Sequence, residues 1–172
     1  VKEVCSILQR YAGWISKKAL AYEKLSCNAP INDNYILYRG EKFIIKRCFE
    51  TSMPSVKLID KNVVINCGSS LFPPLNDIFI SWYKAQAKNH LTQRTVFWAE
   101  KMHVFVARIA IHDQKTRWGS CSTRHNINYN WRIMMAASEV IDYLVIHETA
   151  HLLQMNHSAK FWQIVEKYDP LF

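Results

Sequence analysis

Residues 139–155 are the segment the rest of the chain must fold around. Wound as a helix, Ile141, Leu144, Val145, Ile146, Ala150, Leu152 and Leu153 leave apolar groups on nearly every side. A helix without a polar face belongs in a protein interior. The same segment nevertheless carries His147, Glu148 and His151, and burying imidazoles is costly unless their nitrogens are satisfied. Four residues apart on a helix, the two histidines project from nearly one face and can reach one ion. Glu148 lies about 100° round, beside that ion rather than on it. Zinc held by imidazoles, with a carboxylate that takes a proton from its water, has this form. Ordinary core histidines are the alternative, and they would leave polar nitrogens unsatisfied in an apolar helix. Ser138 is the expected N-cap, and Glu139 suits the positive end of the helix dipole.

The third ligand is a choice between His157 and Glu166. A straight helix would carry His157 about 9 Å further along the axis and onto another face, so the chain must turn back after Met155. Asn156 tolerates left-handed backbone and could make the bend. Ser158 would then cap a second helix with the stripe Phe161, Trp162, Ile164 and Val165, stopped by Asp169-Pro170. Glu166 would ligate only if that helix folded across the site, so His157 is favoured. Three neutral imidazoles leave one zinc ion with its double charge and an open position for water, whose pKa falls toward neutrality. A closed structural site with Cys121 as fourth ligand is the rival, and it leaves Glu148 without a role.

The chain has 172 residues, 49% hydrophobic and 13% aromatic, which suffices for one folded domain without disulfides. No apolar run approaches the roughly 18 residues of a membrane span, and no stretch reads as a signal peptide. The first residue is Val1 rather than methionine, which leaves open what precedes it. Five cysteines (Cys5, Cys27, Cys48, Cys67 and Cys121) show no C-x-x-C spacing, so free thiols in a reducing cytoplasmic compartment are expected. The net charge of +8 comes from 22 basic and 14 acidic residues, spread along the chain without a block. Such a surface attracts nucleic-acid and nucleotide phosphates in general. Without clustering it also describes a soluble protein of high pI.

In chain order, Val4, Ile7, Leu8, Tyr11, Trp14, Ile15, Ala19 and Tyr22 predict an amphipathic helix over residues 1–25, closed by the turn Cys27-Asn28-Ala29-Pro30. Residues 34–66 predict two β-hairpins in a small antiparallel sheet, with turns at Gly40 and at Asp60-Lys61. Pro73-Pro74 opens a long helix to residue 102. Its stripe reads Ile78, Trp82, Ala85, Leu91, Val96 and Met102, with a bend near residues 88–92, and Lys84, Lys88 and Arg94 form a solvated face. Strand signals return at residues 104–112. Ile127, Tyr129, Trp131 and Ile133 then alternate with polar residues as a half-buried strand, paired with the preceding segment across Thr123-Arg124-His125-Asn126. There is no repeat or low-complexity stretch. The reading is one α+β domain over residues 1–172, with a catalytic core over 104–172.

Arg117-Trp118-Gly119-Ser120-Cys121-Ser122, Asn130-Trp131-Arg132, Ile141-Asp142-Tyr143, His147-Glu148-Thr149-Ala150-His151-Leu152, Asn156-His157-Ser158 and Phe161-Trp162 together resemble the YgjP-like metallopeptidase family, related to the SprT and WLM groups of zincins. The resemblance is specific over residues 105–165 and extends more weakly to Trp82 and Trp14. It implies a minimal zincin fold, a small sheet packed on the active-site helix. It also implies zinc ligands at His147, His151 and His157 and a general base at Glu148. The gap from His151 to His157 is that of the metzincins, but Gln154 stands at their turn glycine, so that clan is not assigned. The expected activity is zinc-dependent peptide hydrolysis, with proteins bound to nucleic acid as candidate substrates given the SprT kinship and the basic charge. The alternatives are hydrolysis of nucleotide phosphoanhydrides and a non-enzymatic nucleic-acid-binding module with a structural zinc. The strand at residues 127–133 is the expected seat of an extended peptide, with Arg117, Tyr129 and Asn130 as candidate substrate-binding residues. Tyr143 is read as core before oxyanion stabiliser.

Overall fold

The computed structural model describes residues 34–49, 55–66, 75–114 and 116–170. The amphipathic helix expected over residues 1–25, and the Pro73-Pro74 start of the long helix, lie outside them.

Two small sheets are built by the same device. In the first, β1 (Tyr35–Tyr38) and β2 (Glu41–Cys48) form one hairpin, and β3 (Ser55–Ile59) and β4 (Asn62–Asn66) form another. The second hairpin joins through its later strand, so β4 runs parallel to β2 and the order is β1-β2-β4-β3. In the second, β5 (Arg108–His112) is joined by the hairpin of β6 (Gly119–Cys121) and β7 (Asn126–Asn130), again through the later strand, giving β5-β7-β6 with β5 parallel to β7. Both sheets are therefore mixed rather than antiparallel. Local turn signals identify hairpins but carry nothing about which of their edges meets the next strand.

Between the sheets runs α1 (Leu75–Met102), 28 residues without a break. The expected bend near residues 88–92 is absent. Its buried residues are Phe79, Tyr83, Ala87, Leu91, Thr95, Ala99 and Met102, whereas Ala85 and Val96 of the expected stripe are exposed. A step of four residues advances about 40° around the helix, so this stripe winds. Its first half faces the β1–β2 hairpin, where the Tyr83 hydroxyl donates to Leu37 O. Its second half faces the later strands and helices, where Thr95 Oγ1 accepts from the Tyr129 hydroxyl at 2.9 Å while donating to Leu91 O at 2.6 Å. Arg94 does not belong to a solvated face. Its Nε and Nη2 donate to the two carboxylate oxygens of Asp142 at 2.6 and 3.0 Å.

The strand expected to reach Ile133 stops at Asn130. Asn130 Oδ1 accepts from Arg132 N at 3.1 Å and starts a 3-10 turn over Trp131–Met135. That turn buries Trp131, Ile133 and Met134 and delivers the chain to α2 (Ser138–Ala150). The tip of the first hairpin grips this junction. Arg39 and Gly40 have φ of +51° and +80°, the pairing of a two-residue turn that matches strand twist. Their amides donate to Met134 O at 2.8 Å and Met135 O at 3.3 Å. Ala137, not Ser138, is the N-cap of α2, and Ser138 Oγ instead accepts from Arg39 Nε at 3.2 Å.

Two apolar cores flank α2. Ile141 and Val145 belong to the larger one, with Phe79, Tyr83, Tyr129 and Trp131, and Ile146 and Ala150 belong to a smaller one with Met102, Phe161 and Val165 of α3 (Ala159–Tyr168). A helix wedged between two cores keeps little solvent-facing surface, which is why its sequence carries apolar residues on most sides.

Candidate metal centre

α2 ends earlier than its apolar pattern suggests. Ala150 is its last residue, His151 is the C-cap, and the turn tightens as Leu152 N reaches Thr149 O and Leu153 N reaches Ala150 O, at 3.0 and 2.9 Å. The bend does not use left-handed backbone at Asn156, because the described non-glycine residues with positive φ are Arg39, Asp60, His103 and His125. The turn is held by side chains instead. His151 Nδ1 lies 3.2 Å from Gln154 O, and Gln154 Nε2 donates to Asn156 Oδ1 at 2.7 Å.

This reversal returns His157 to the helix it left. His147, His151 and His157 each offer a ring nitrogen, and these atoms all lie within 4.8 Å of one another. His147 Nε2 and His157 Nε2 face each other at 3.0 Å. Glu166 is exposed on α3, and neither it nor Cys121 belongs to this group. α3 supplies the group's floor. Phe161, with no exposed surface, has its ring centre 4.9, 4.5 and 4.8 Å from those of His147, His151 and His157. Trp162 stacks on His157 at 5.7 Å. Ser158 is the N-cap of α3, without a side-chain capping bond.

The electrostatics favour neutral imidazoles. Burial, followed by the neighbouring His151 and His157, holds His147 down to about 3, and burial lowers His151 as well. Neutral imidazoles keep a lone pair for a metal. The carbonyl at His151 Nδ1 fixes the ring so that Nε2 points to the group, the usual arrangement behind a ligand histidine. At 3.0 Å, His147 Nε2 and His157 Nε2 either share one ring N–H or turn both lone pairs to a common cation. A tetrahedral ion with bonds of about 2.0–2.1 Å sets its ligand nitrogens about 3.3 Å apart. The residues present thus fit a small divalent ion. Beside them Glu148 is 5% exposed, and burial pushes its carboxyl up to about 8, an effect a nearby cation opposes.

The other candidate residues divide. Arg117 is exposed in the segment leading into β6. Tyr129 is 1% exposed, with its hydroxyl committed to Thr95. Asn130 is 5% exposed, and its amide donates to Gln114 O at 2.5 Å and Arg117 O at 3.3 Å. These two are occupied in holding the second sheet and do not face a substrate. Tyr143 lies against His147, with ring centres 5.9 Å apart, and burial raises its hydroxyl's pKa. Sequence reasoning missed the part played by Phe161, although its position four residues after His157 on a helix that starts at the cap is a readable sign of contact.

Three converging imidazoles, a carboxylate on the same helical turn and a small sheet alongside define a metal-dependent hydrolase of zincin type. The family model described as the YgjP-like metallopeptidase domain matches residues 1–172, and the chain belongs to that family: it is an enzyme, a zinc metallopeptidase. Among curated proteins none matches. Among solved structures, the metallopeptidase zymogen abylysin of Pyrococcus abyssi is 24% identical, with a TM-score of 0.43 over 46% of this chain and 80% of that one.

Proposed function

We propose that the chain hydrolyses peptide bonds with one zinc ion held by His147, His151 and His157 and with Glu148 as general base. The observation that carries this reading is the convergence of three imidazole nitrogens within 4.8 Å, with Glu148 next to one of them in sequence. When bound, zinc supplies Lewis-acid polarisation of a carbonyl and a water that ionises near neutral pH. A Glu148 carboxylate oxygen takes the proton of the attacking water and passes it to the leaving nitrogen. The Gln154 carbonyl keeps His151 in one tautomer, and Phe161 and Trp162 close the back of the site to solvent.

The peptide cannot pair with β7, which has neighbours on both sides. The free edge next to Glu148 is β6, so an extended backbone adds there, with Arg117 two residues upstream for a carboxylate or phosphate on the substrate. Nucleic-acid-associated proteins are the substrates we favour, supported by a basic sheet face described below. A reducing, cytoplasmic setting is our reading of five cysteines, an odd number without C-x-x-C spacing.

The test is metal analysis of His157→Ala and Glu166→Ala alongside a paired screen of the zinc-loaded protein on denatured protein and on nucleoside triphosphates, with Glu148→Gln as the blank. Zinc is lost from His157→Ala and kept in Glu166→Ala, and turnover of denatured protein disappears in Glu148→Gln while zinc stays. Unchanged zinc in His157→Ala overturns the ligand set. Turnover of triphosphates alone replaces the peptidase reading with phosphoanhydride hydrolysis.

A further inference from the structure

Gly119 stands inside β6 with no requirement for left-handed backbone, since the described glycine with positive φ is Gly40. Glycine weakens a strand unless something must approach it closely, and here something does. A Cβ on Gly119 would lie 2.8 Å from both Cγ and Cδ of Glu148, and nearer still to Oε1. Real Cβ atoms do not sit that close to their neighbours. The carboxylate of Glu148 occupies the volume that any other residue at position 119 would fill.

The strand cannot yield. β6 is fixed against β7 by the register Gly119↔Tyr129, Ser120↔Asn128 and Cys121↔Ile127. Asn130 N donates to Trp118 O at 2.8 Å, and the Asn130 side chain holds Arg117 O. Tyr129 is anchored in turn to Thr95 of α1. The backbone of Glu148 is equally fixed, on a helix buried between two cores. Of the groups in contact, the glutamate side chain is the one free to move.

We propose that Gly119 is a positioning residue: its missing side chain is the slot that holds the Glu148 carboxylate beside the three histidines, and any side chain there expels it. The proposal rests on the general-base reading of Glu148 for its functional half, while its steric half stands by itself. Gly119→Ala then leaves the histidine cluster intact and pushes the carboxylate aside by about 1 Å, the distance that brings the overlap out to ordinary contact. A misplacement of about 1 Å costs on the order of 100-fold in rate.

The test is a double-mutant cycle on the full chain, Gly119→Ala and Glu148→Ala singly and together, read by thermal unfolding of the zinc-loaded and metal-free forms. Zinc content and the kcat and KM for denatured protein are read on the parent and Gly119→Ala. Gly119→Ala is expected to lower Tm by roughly 2–4 °C in the parent and to leave it unchanged in the Glu148→Ala background, where the slot is vacant. Zinc content stays that of the parent, and kcat falls about 100-fold with KM little altered. An equal loss of Tm in both backgrounds shows that β6 needs glycine for its own sake and overturns the proposal, as does full kcat in Gly119→Ala. If the zinc-loaded parent turns over no denatured protein, the peptidase reading fails, and the Tm coupling still decides the steric slot.

Discussion

Phe161 has no exposed surface, and its ring lies within 5 Å of all three imidazole rings, so the geometry of the histidines depends on a residue that offers an ion nothing. Phe161→Ala is expected to remove about 3–5 kcal/mol of stability and to weaken zinc more than that loss explains, because His151 and His157 gain room to turn. Phe161→Leu keeps the fold for the comparison. Competition with a chelator reads the affinity, and an unchanged zinc constant in Phe161→Leu would sink the idea. His147 and His151 were legible in the sequence because a spacing of four on one helix is local information. His157 was legible as a residue but not as a geometry, since its return depends on Gln154 bridging His151 and Asn156 rather than on left-handed backbone at Asn156. Tyr129 and Asn130 were named as candidate substrate-binding residues, and both are buried, because alternation says which residues share a face and not what covers it.

At the scale of elements, two devices hold α2, and sequence periodicity exposes neither. The Arg94–Asp142 pair ties it to α1, in bidentate geometry and about 30% exposed on each side. With solvent screening its coupling is expected to be about 1 kcal/mol, measured by a cycle of Arg94→Ala and Asp142→Ala and weaker at high salt. Purely additive losses would reduce the pair to packing. At the N-cap of the same helix, Gly40 combines φ of +80° with a virtual Cβ 2.9 Å from Ala137 Cα. The near atoms are Ala137 Cα, Cβ and N, all fixed with the backbone, so Gly40→Ala should cost about 1–3 kcal/mol in thermal unfolding whether or not Glu148 is present, in contrast to Gly119→Ala. A loss that vanished without Glu148 would contradict this difference. The helices and hairpins were readable from local pattern. The parallel joins of β2 to β4 and β5 to β7 were not, because they pair segments whose sequences hold no record of each other.

For the whole molecule, the outer face of the first sheet carries a group of lysines. Strand alternation and register put Lys42, Lys46 and Lys57 on one side with Tyr35, Ile44 and Ile59, and Lys61 follows in the β3–β4 turn, paired with Glu41. Glu41 neutralises Lys61 in that pair, so Lys42, Lys46 and Lys57 carry the positive charge of the face. Binding of a single-stranded oligonucleotide here should weaken with salt by about 0.7 log units per tenfold for each phosphate neutralised, and Lys46→Glu with Lys57→Glu should reduce that slope. A slope unchanged in the double variant would move any such binding elsewhere. No described helix is long and apolar enough to cross a membrane. The grip of the Arg39-Gly40 turn on the start of α2 has one more consequence. One end of the helix is set by a hairpin at residues 39–40 and the other by Phe161, well over a hundred residues later, so the three histidines meet only where segments far apart in sequence have packed on one helix.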